Sequence, residues 1–271
     1  LEAYPALRHA GEILREEGIL FLDLTDLFRE EERTLYVDDC CGLSDLGLEL
    51  LADPIAEKVA GALLARFEPG ERVAVWAPNI PEWVMLEYGC AMAGTILVTV
   101  NPSYRAEELA YVINQSGAAG IFLLPDFRGN PMRRHLEKAM PECGKLREVV
   151  FFTEWEAFLE SASAAVSLPP VDPRDACMIQ YTSGTTGNPK GVMYSHRSTI
   201  LHAYATMMPD AMGLSRRDVV LPIVPMFHVN AWGIPYSCPM AGAKIVFPGN
   251  KMGDGETLAA LINEEGVTMS A

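Results

Sequence analysis

Ten consecutive residues, Thr182-Ser183-Gly184-Thr185-Thr186-Gly187-Asn188-Pro189-Lys190-Gly191, hold four hydroxyl side chains, three glycines and one lysine. Glycine lets the backbone approach an anion closely and turn its N–H groups inward, hydroxyls donate to phosphate oxygens, and lysine adds a full positive charge. Such a loop suits a polyphosphate. It is not a Walker A loop, which needs G-K-[ST] in succession, because Pro189 precedes Lys190 and Gly191 follows it. No G-x-G-x-x-G follows a strand either, so a dinucleotide site is unsupported. A flexible linker can have the same composition. It would need neither the apolar run Cys177-Met178-Ile179-Gln180-Tyr181 before it nor Val192-Met193-Tyr194 after it. Downstream, His228 and Trp232 stand in Pro225-Met226-Phe227-His228-Val229-Asn230-Ala231-Trp232-Gly233. By residue type alone, a lone histidine after an apolar strand is more often structural than catalytic, and a tryptophan reads as core or surface filler.

Positioning such a loop requires a scaffold, and the hydrophobic pattern supplies one. From about residue 70, short β-branched runs alternate with longer segments of helical period, the pattern of an α/β fold with a largely parallel sheet flanked by helices. Strands are predicted at 72–77, 95–100, 120–124, 148–152, 177–182, 219–224, 243–247 and 266–270. Helices are predicted at 54–67, 81–93 (opened by Pro81), 105–115, 132–140, 154–162, 196–208 and 256–265. Small residues and prolines concentrate over 161–175, which makes that stretch the best internal boundary. The expected partition is therefore an N-terminal segment 1–55, a first α/β lobe 56–170 and a phosphate-loop lobe 171–271.

Composition narrows the partners. With 271 residues and 49% hydrophobic content the chain can bury a sizeable core. Its formal charge of −15 argues against nucleic acid or an anionic membrane surface, both of which would repel it at long range. Six cysteines at irregular spacings, without C-x-x-C, favour free thiols and a cytoplasmic protein over a disulfide or zinc framework. The apolar stretch 84–100 is interrupted by Glu87 and Gly94, so no transmembrane segment is expected. Neither do His9, His135, His196 and His202 make an i, i+4 pair with an intervening glutamate of the kind that holds zinc.

Y-T-S-G-T-T-G-N-P-K-G resembles the signature loop of the adenylate-forming (AMP-binding) superfamily, and P-M-F-H-V-N-A-W-G resembles a second core motif of that family in the form similar to bacterial medium- and long-chain fatty-acyl-CoA synthetases. Gly70-Glu71-Arg72-Val73-Ala74-Val75 and the run from Gly94 to Val100-Asn101-Pro102 also follow the family's early pattern, so the likeness covers about residues 55 to 271. The resemblance implies that Thr182, Ser183, Gly184, Thr185, Thr186, Gly187 and Lys190 hold the phosphates of ATP, with the Thr182 hydroxyl near Mg²⁺. It implies catalytic roles for Lys190 and His228, with His228 beside the acyl carboxylate and the α-phosphate, and Trp232 lining the mouth of the acyl tunnel. The implied reaction is ATP-dependent activation of a carboxylic acid, fatty in the first instance, to an acyl-adenylate, followed by thioester formation with CoA; a homodimer is compatible with it.

The same resemblance sets out alternatives. A peptide-synthetase adenylation module would place an aspartate in the first pocket-forming segment, where His228-Val229-Asn230-Ala231-Trp232 offers an apolar, aromatic wall. The family's glutamate motif for Mg²⁺, ribose-binding aspartate, hinge and C-terminal domain with its lysine are not present by residue 271, and the chain begins with Leu1. The expectation is therefore the N-terminal portion of such an enzyme, truncated before the C-terminal domain and inactive by itself, or an inactive remnant. Residues 1–55 resemble the tail of SGNH-type esterases, although Gly42 stands where the histidine partner of Asp39 would be, which leaves no general base.

Overall fold

The computed structural model describes residues 45–162, 167–182 and 188–270, with side chains from residue 55 onward. The chain divides into two units, Leu1–Pro54 and Ile55–Ala271; apart from the start of the first helix, the elements below belong to the second. Helix α1 (Asp45–Leu64) leads into strand β1 (Arg72–Trp76), after which strand and helix alternate: α2 (Pro81–Ala93), β2 (Ile96–Thr99), α3 (Ala106–Ser116), β3 (Gly120–Leu123), α4 (Met132–Ala139), β4 (Glu148–Phe151) and α5 (Trp155–Glu160). A hairpin of β5 (Ala176–Thr182) and β6 (Lys190–Ser195) precedes α6 (His196–Met207), β7 (Val219–Leu221), α7 (Asn230–Ala241), β8 (Lys244–Ile245), α8 (Gly255–Glu264) and β9 (Met269–Ser270).

The first sheet has six strands in the order β4-β3-β1-β2-β5-β6, parallel except for β6, which runs antiparallel to β5. Alternation sorts its side chains. Ala74, Trp76, Val98, Val100, Ile121, Leu123, Ile179 and Tyr181 face one way and pack against Leu109, Val112 and Ile113 of α3 and Met132 and Leu136 of α4. Phe122 faces the other way, where its ring meets Phe158 of α5 at 4.9 Å and Trp155 at 6.5 Å. Because both faces are covered, the central strands are apolar at nearly every position, as in other buried parallel sheets. A second, three-stranded parallel sheet has the order β8-β7-β9. The break expected near residue 170 falls between α5 and β5, both of which belong to the first sheet's layers; the second sheet begins at β7.

Buried polar atoms fasten the loop after β7 to the first sheet. The Asn79 amide donates to the carbonyls of Pro222 and Val224, each at 2.9 Å, and its Oδ1 accepts from the Met226 N–H at 2.7 Å. Thr99, at the end of β2, donates through its hydroxyl to the Phe227 carbonyl at 3.0 Å. No helix among the described residues is long and apolar enough to cross a membrane.

Candidate functional site

The site is assembled at the carboxyl ends of β2 and β5, where open α/β sheets leave a crevice for ligands. Strand β5 ends at Thr182 and β6 starts at Lys190, and the two residues pair across the hairpin. Thr182 Oγ1 lies 3.5 Å from the Lys190 carbonyl, a contact too long to tie the hydroxyl up, and both side chains are exposed. The turn is held from beneath. Tyr111 of α3 donates to the Pro189 carbonyl at 3.2 Å, and Gln115 supports the Tyr111 hydroxyl at 2.8 Å. Burial pushes the Tyr181 phenol up to about 12, so it remains a donor, directed at the Val112 carbonyl 3.4 Å away. Gly191 has its own steric reason: a Cβ there would come within 2.8 Å of Ile179 Cγ2 and 3.3 Å of Tyr181 Cζ. Ser183, Gly184, Thr185, Thr186 and Gly187 lie outside the described residues.

His228 reaches the hairpin from the other sheet's side. With Phe227 it lines a cleft of about 50 Å³ whose other walls are Thr99, Asn101, Tyr104 and Tyr181. The next five residues, 229–233, all have positive φ, with values of 45, 47, 45 and 62° at Val229, Asn230, Ala231 and Trp232 and 77° at Gly233. They form a left-handed turn, in which Ala231 N–H donates to the His228 carbonyl at 3.1 Å and Trp232 N–H to that of Val229 at 3.0 Å. A non-glycine residue pays about 1–2 kcal/mol for this conformation, so the surroundings must hold it. The turn projects Trp232, 51% exposed, onto a cavity of about 300 Å³ shared with Met178 and Gln180 of β5, Tyr194 of β6, and Ser198, Thr199 and His202 of α6. The structure thus brings Lys190, Thr182, His228 and Trp232 around one strand, β5, with Tyr181 walling the His228 cleft and Gln180 the Trp232 cavity.

Behind that turn lies a buried network that sequence reasoning missed. Glu87, 2% exposed in α2, accepts from the Asn230 amide at 2.7 Å. Tyr88, its neighbour, donates to the Pro235 carbonyl at 3.1 Å. The available signal was the glutamate inside an apolar helix, a residue type rarely buried without a partner, but its partner lies 143 positions away. Among the described residues no group of three His, Cys, Asp or Glu is placed to hold a metal ion. A threonine hydroxyl is a ligand type that suits a magnesium ion, and Thr182 Oγ1, whose contact with the Lys190 carbonyl is 3.5 Å long, is such a group among the described residues.

The class that the fold and site define is an α/β protein with a mostly parallel sheet, a β5–β6 hairpin bearing Thr182 and Lys190, and an aromatic-walled cavity beside it. The profile of the family described as AMP-binding enzyme matches residues 52–271, and the chain belongs to that family. It is 39% identical over 230 residues to a medium-chain-fatty-acid–CoA ligase of Ectopseudomonas oleovorans, covering 79% of this chain and 41% of the relative. It is 40% identical over 220 residues to a 3-methylmercaptopropionyl-CoA ligase of Ruegeria pomeroyi, covering 76% and 40%. Among solved structures, the inhibitor-bound N-terminal domain of FACL13 from Mycobacterium tuberculosis superposes with a TM-score of 0.70 at 28% identity, over 81% of this chain and 54% of that one. The chain spans about two fifths of the length of the two curated relatives. The esterase-like likeness, with Asp39 and Gly42, falls on residues outside those described, and the family match begins at residue 52.

Proposed function

We propose that the β5–β6 hairpin binds the phosphates of ATP and that the chain belongs to an acid–thiol ligase, which activates an apolar, fatty-type carboxylic acid as its adenylate and passes the acyl group to CoA. The observation that carries this reading is that one strand borders both halves of the reaction: its end bears the hairpin, and its residues wall the His228 cleft and the Trp232 cavity. A carboxylate is a poor acyl donor because oxide would have to leave. Attack of the carboxylate on the α-phosphorus replaces that leaving group by AMP and builds charge on the departing pyrophosphate. Lys190, exposed at the hairpin mouth, would neutralise that charge, and Ser183, Gly184, Thr185, Thr186 and Gly187 would supply amides and hydroxyls around it. The Thr182 hydroxyl would reach the magnesium ion, whose chemistry is to draw charge from the phosphate oxygens. His228 would orient the carboxylate at the α-phosphate, and Trp232 would cover the acyl chain.

An amino-acid substrate is the competing reading, and the cavity speaks against it. Of the described residues lining it, Met178, Gln180, Tyr194, Ser198, Thr199, Val229, Asn230, Trp232, Gly233 and Tyr236 carry no charge and His202 offers no anion, so none of them gives an ammonium group an anionic partner. The free cysteines Cys90, Cys143, Cys177 and Cys238 fit a reducing cytoplasmic location, which we propose with the function. The test is hydroxylamine trapping of acyl-adenylate by a protein carrying this chain, across a panel of carboxylates, alongside nucleotide titration of the chain itself. Hydroxamate from straight-chain apolar acids is the expected product. Hydroxamate from amino acids alone, or no nucleotide binding at all, would overturn the reading.

A further inference from the structure

Two buried oxygens next to the candidate acid pocket lack a donor. Asn230 Nδ2 donates to Glu87 Oε1, but the second oxygen of each group, Glu87 Oε2 and Asn230 Oδ1, is buried with no hydrogen-bond partner among the described residues. Both orphans are acceptors, and they belong to two groups that already share one bond. A neutral carboxyl offers one O–H donor and one acceptor oxygen, and a primary carboxamide offers N–H donors and one acceptor, so an acid and an amide can close on each other through two bonds. A single proton on Glu87 Oε2 therefore has Asn230 Oδ1 as its natural acceptor. An ionised Glu87 would instead bury a charge with only the Asn230 amide and the nearby Tyr236 hydroxyl to offset it, and would leave the Asn230 amide oxygen without a donor, which is costly.

We propose that Glu87 is a positioning residue: as a neutral acid paired reciprocally with the Asn230 carboxamide, it holds the left-handed turn over residues 229–233 and thereby fixes Trp232 and the wall of the acid pocket. This rests on reading that cavity as the acid site. Asn230 is the second of four consecutive non-glycine residues in the left-handed region. Such a run persists only where contacts over-determine it, and the Glu87 pair grips it from α2 at a point buried on both sides. Burial pushes the Glu87 carboxyl up to about 7, against weaker opposing effects from the Tyr236 hydroxyl and Asn230. The titratable groups that face it are Tyr88 and Cys90 on α2, Tyr236 on α7 and Cys177 on β5. Burial raises all four, so none of them is charged near neutrality.

The test compares Glu87→Gln with Glu87→Ala. Glutamine reproduces the neutral acid, with Oε1 accepting from Asn230 Nδ2 and Nε2 donating to Asn230 Oδ1; alanine removes both bonds. Glu87→Ala should raise the KM for the acid about tenfold or more with the KM for ATP little changed; the unsubstituted protein should bind the acid more weakly as pH rises past 7, and Glu87→Gln should rescue the alanine loss and abolish that pH dependence. In the unsubstituted chain, the ¹³C resonance of the Glu87 carboxyl and the indole ¹⁵N resonance of Trp232 should titrate with a common midpoint near 7, and the indole should stop responding in Glu87→Gln. A carboxyl midpoint in the ordinary glutamate range, an indole that ignores it, or a Glu87→Gln protein as impaired as Glu87→Ala would each overturn the proposal. The resonances read the pair without catalysis, so a protein that forms no acyl-adenylate would refute the ligase reading while the titration still decides the role of Glu87.

Discussion

Lys190 and Gly191 are adjacent, yet replacing them should have opposite signatures. Lys190 is exposed at the mouth of the hairpin, and exposed substitutions away from special features shift stability by about 0.5 kcal/mol or less. Lys190→Ala should therefore leave the urea midpoint unchanged while lowering the adenylation rate by about 10²–10³-fold, the usual effect of losing one preorganised donor. An unchanged rate in the hydroxamate assay would remove Lys190 from the mechanism. Gly191 carries no side chain that could touch a ligand, but its added Cβ would press on Ile179 and Tyr181. Gly191→Ala should cost about 1–3 kcal/mol of stability through overpacking, read as a lower urea midpoint with any surviving activity retaining its nucleotide KM. At this scale the sequence was informative only where a motif concentrated the chemistry. Thr182, Lys190, His228 and Trp232 stood out within short runs, whereas Glu87 registered merely as an interruption of an apolar stretch, because neither helix nor strand period encodes a partner 143 positions away.

Most strands were legible, and the two elements that escaped, β6 and α7, did so for different reasons. The predicted strands at 72–77, 95–100, 120–124 and 148–152 match β1 to β4 to within a residue or two, since a strand buried on both faces is a continuous β-branched run. Strand β6 was read only as an apolar stretch: it begins Lys190-Gly191, and four of its six residues are exposed at the sheet's edge, so burial left little pattern in it. Helix α7 escaped because it contains Pro235 and Pro239. Both are accommodated by features with no local signal. The left-handed turn ends at Gly233, so Pro235 falls in the first right-handed turn, where no N–H is required. Pro239 would leave the Pro235 carbonyl without its helical donor, and the Tyr88 hydroxyl supplies one at 3.1 Å. The loop that delivers His228 depends likewise on Asn79, which makes three hydrogen bonds to its backbone. Asn79→Ala strands those buried groups and should destabilise the protein by about 3 kcal/mol. Because the loop leads to His228, the variant should also lose adenylation rate at temperatures where it is still folded, and circular dichroism paired with the hydroxamate assay separates the two effects.

For the molecule as a whole, pH sets two opposing trends. Hydrogen bonds lower the carboxyls of Glu71, through Arg147, of Asp218, through Ser215 and Thr268, and of Asp254, through Thr257. A carboxyl lowered in the folded state stabilises it above the unfolded value and loses that contribution as pH falls through the folded one, so these three, together with Asp172, which the Arg174 hydrogen bond lowers to about 2, contribute to an acid limb below about pH 4. All four are at least partly exposed to solvent, and the limb should be shallow. Glu87 works the other way. Raised to about 7 by burial, it retains its proton in the folded protein while the unfolded chain has already released it, so stability falls as pH climbs from about 4.5 to about 7 and levels off beyond. At about 1.4 kcal/mol per unit, that descent is worth at most roughly 3 kcal/mol. The growing negative charge of a chain at −15 pushes in the same direction, and the two can be separated, since Glu87→Gln removes the buried titration while changing the net charge by no more than one. Urea midpoints measured across pH 4 to 8 should peak near pH 5 in the unsubstituted protein and descend distinctly less steeply from 5 to 7 in Glu87→Gln. Parallel curves for the two proteins would mean that Glu87 is ionised in the folded state, and the descent would then belong to general charge repulsion.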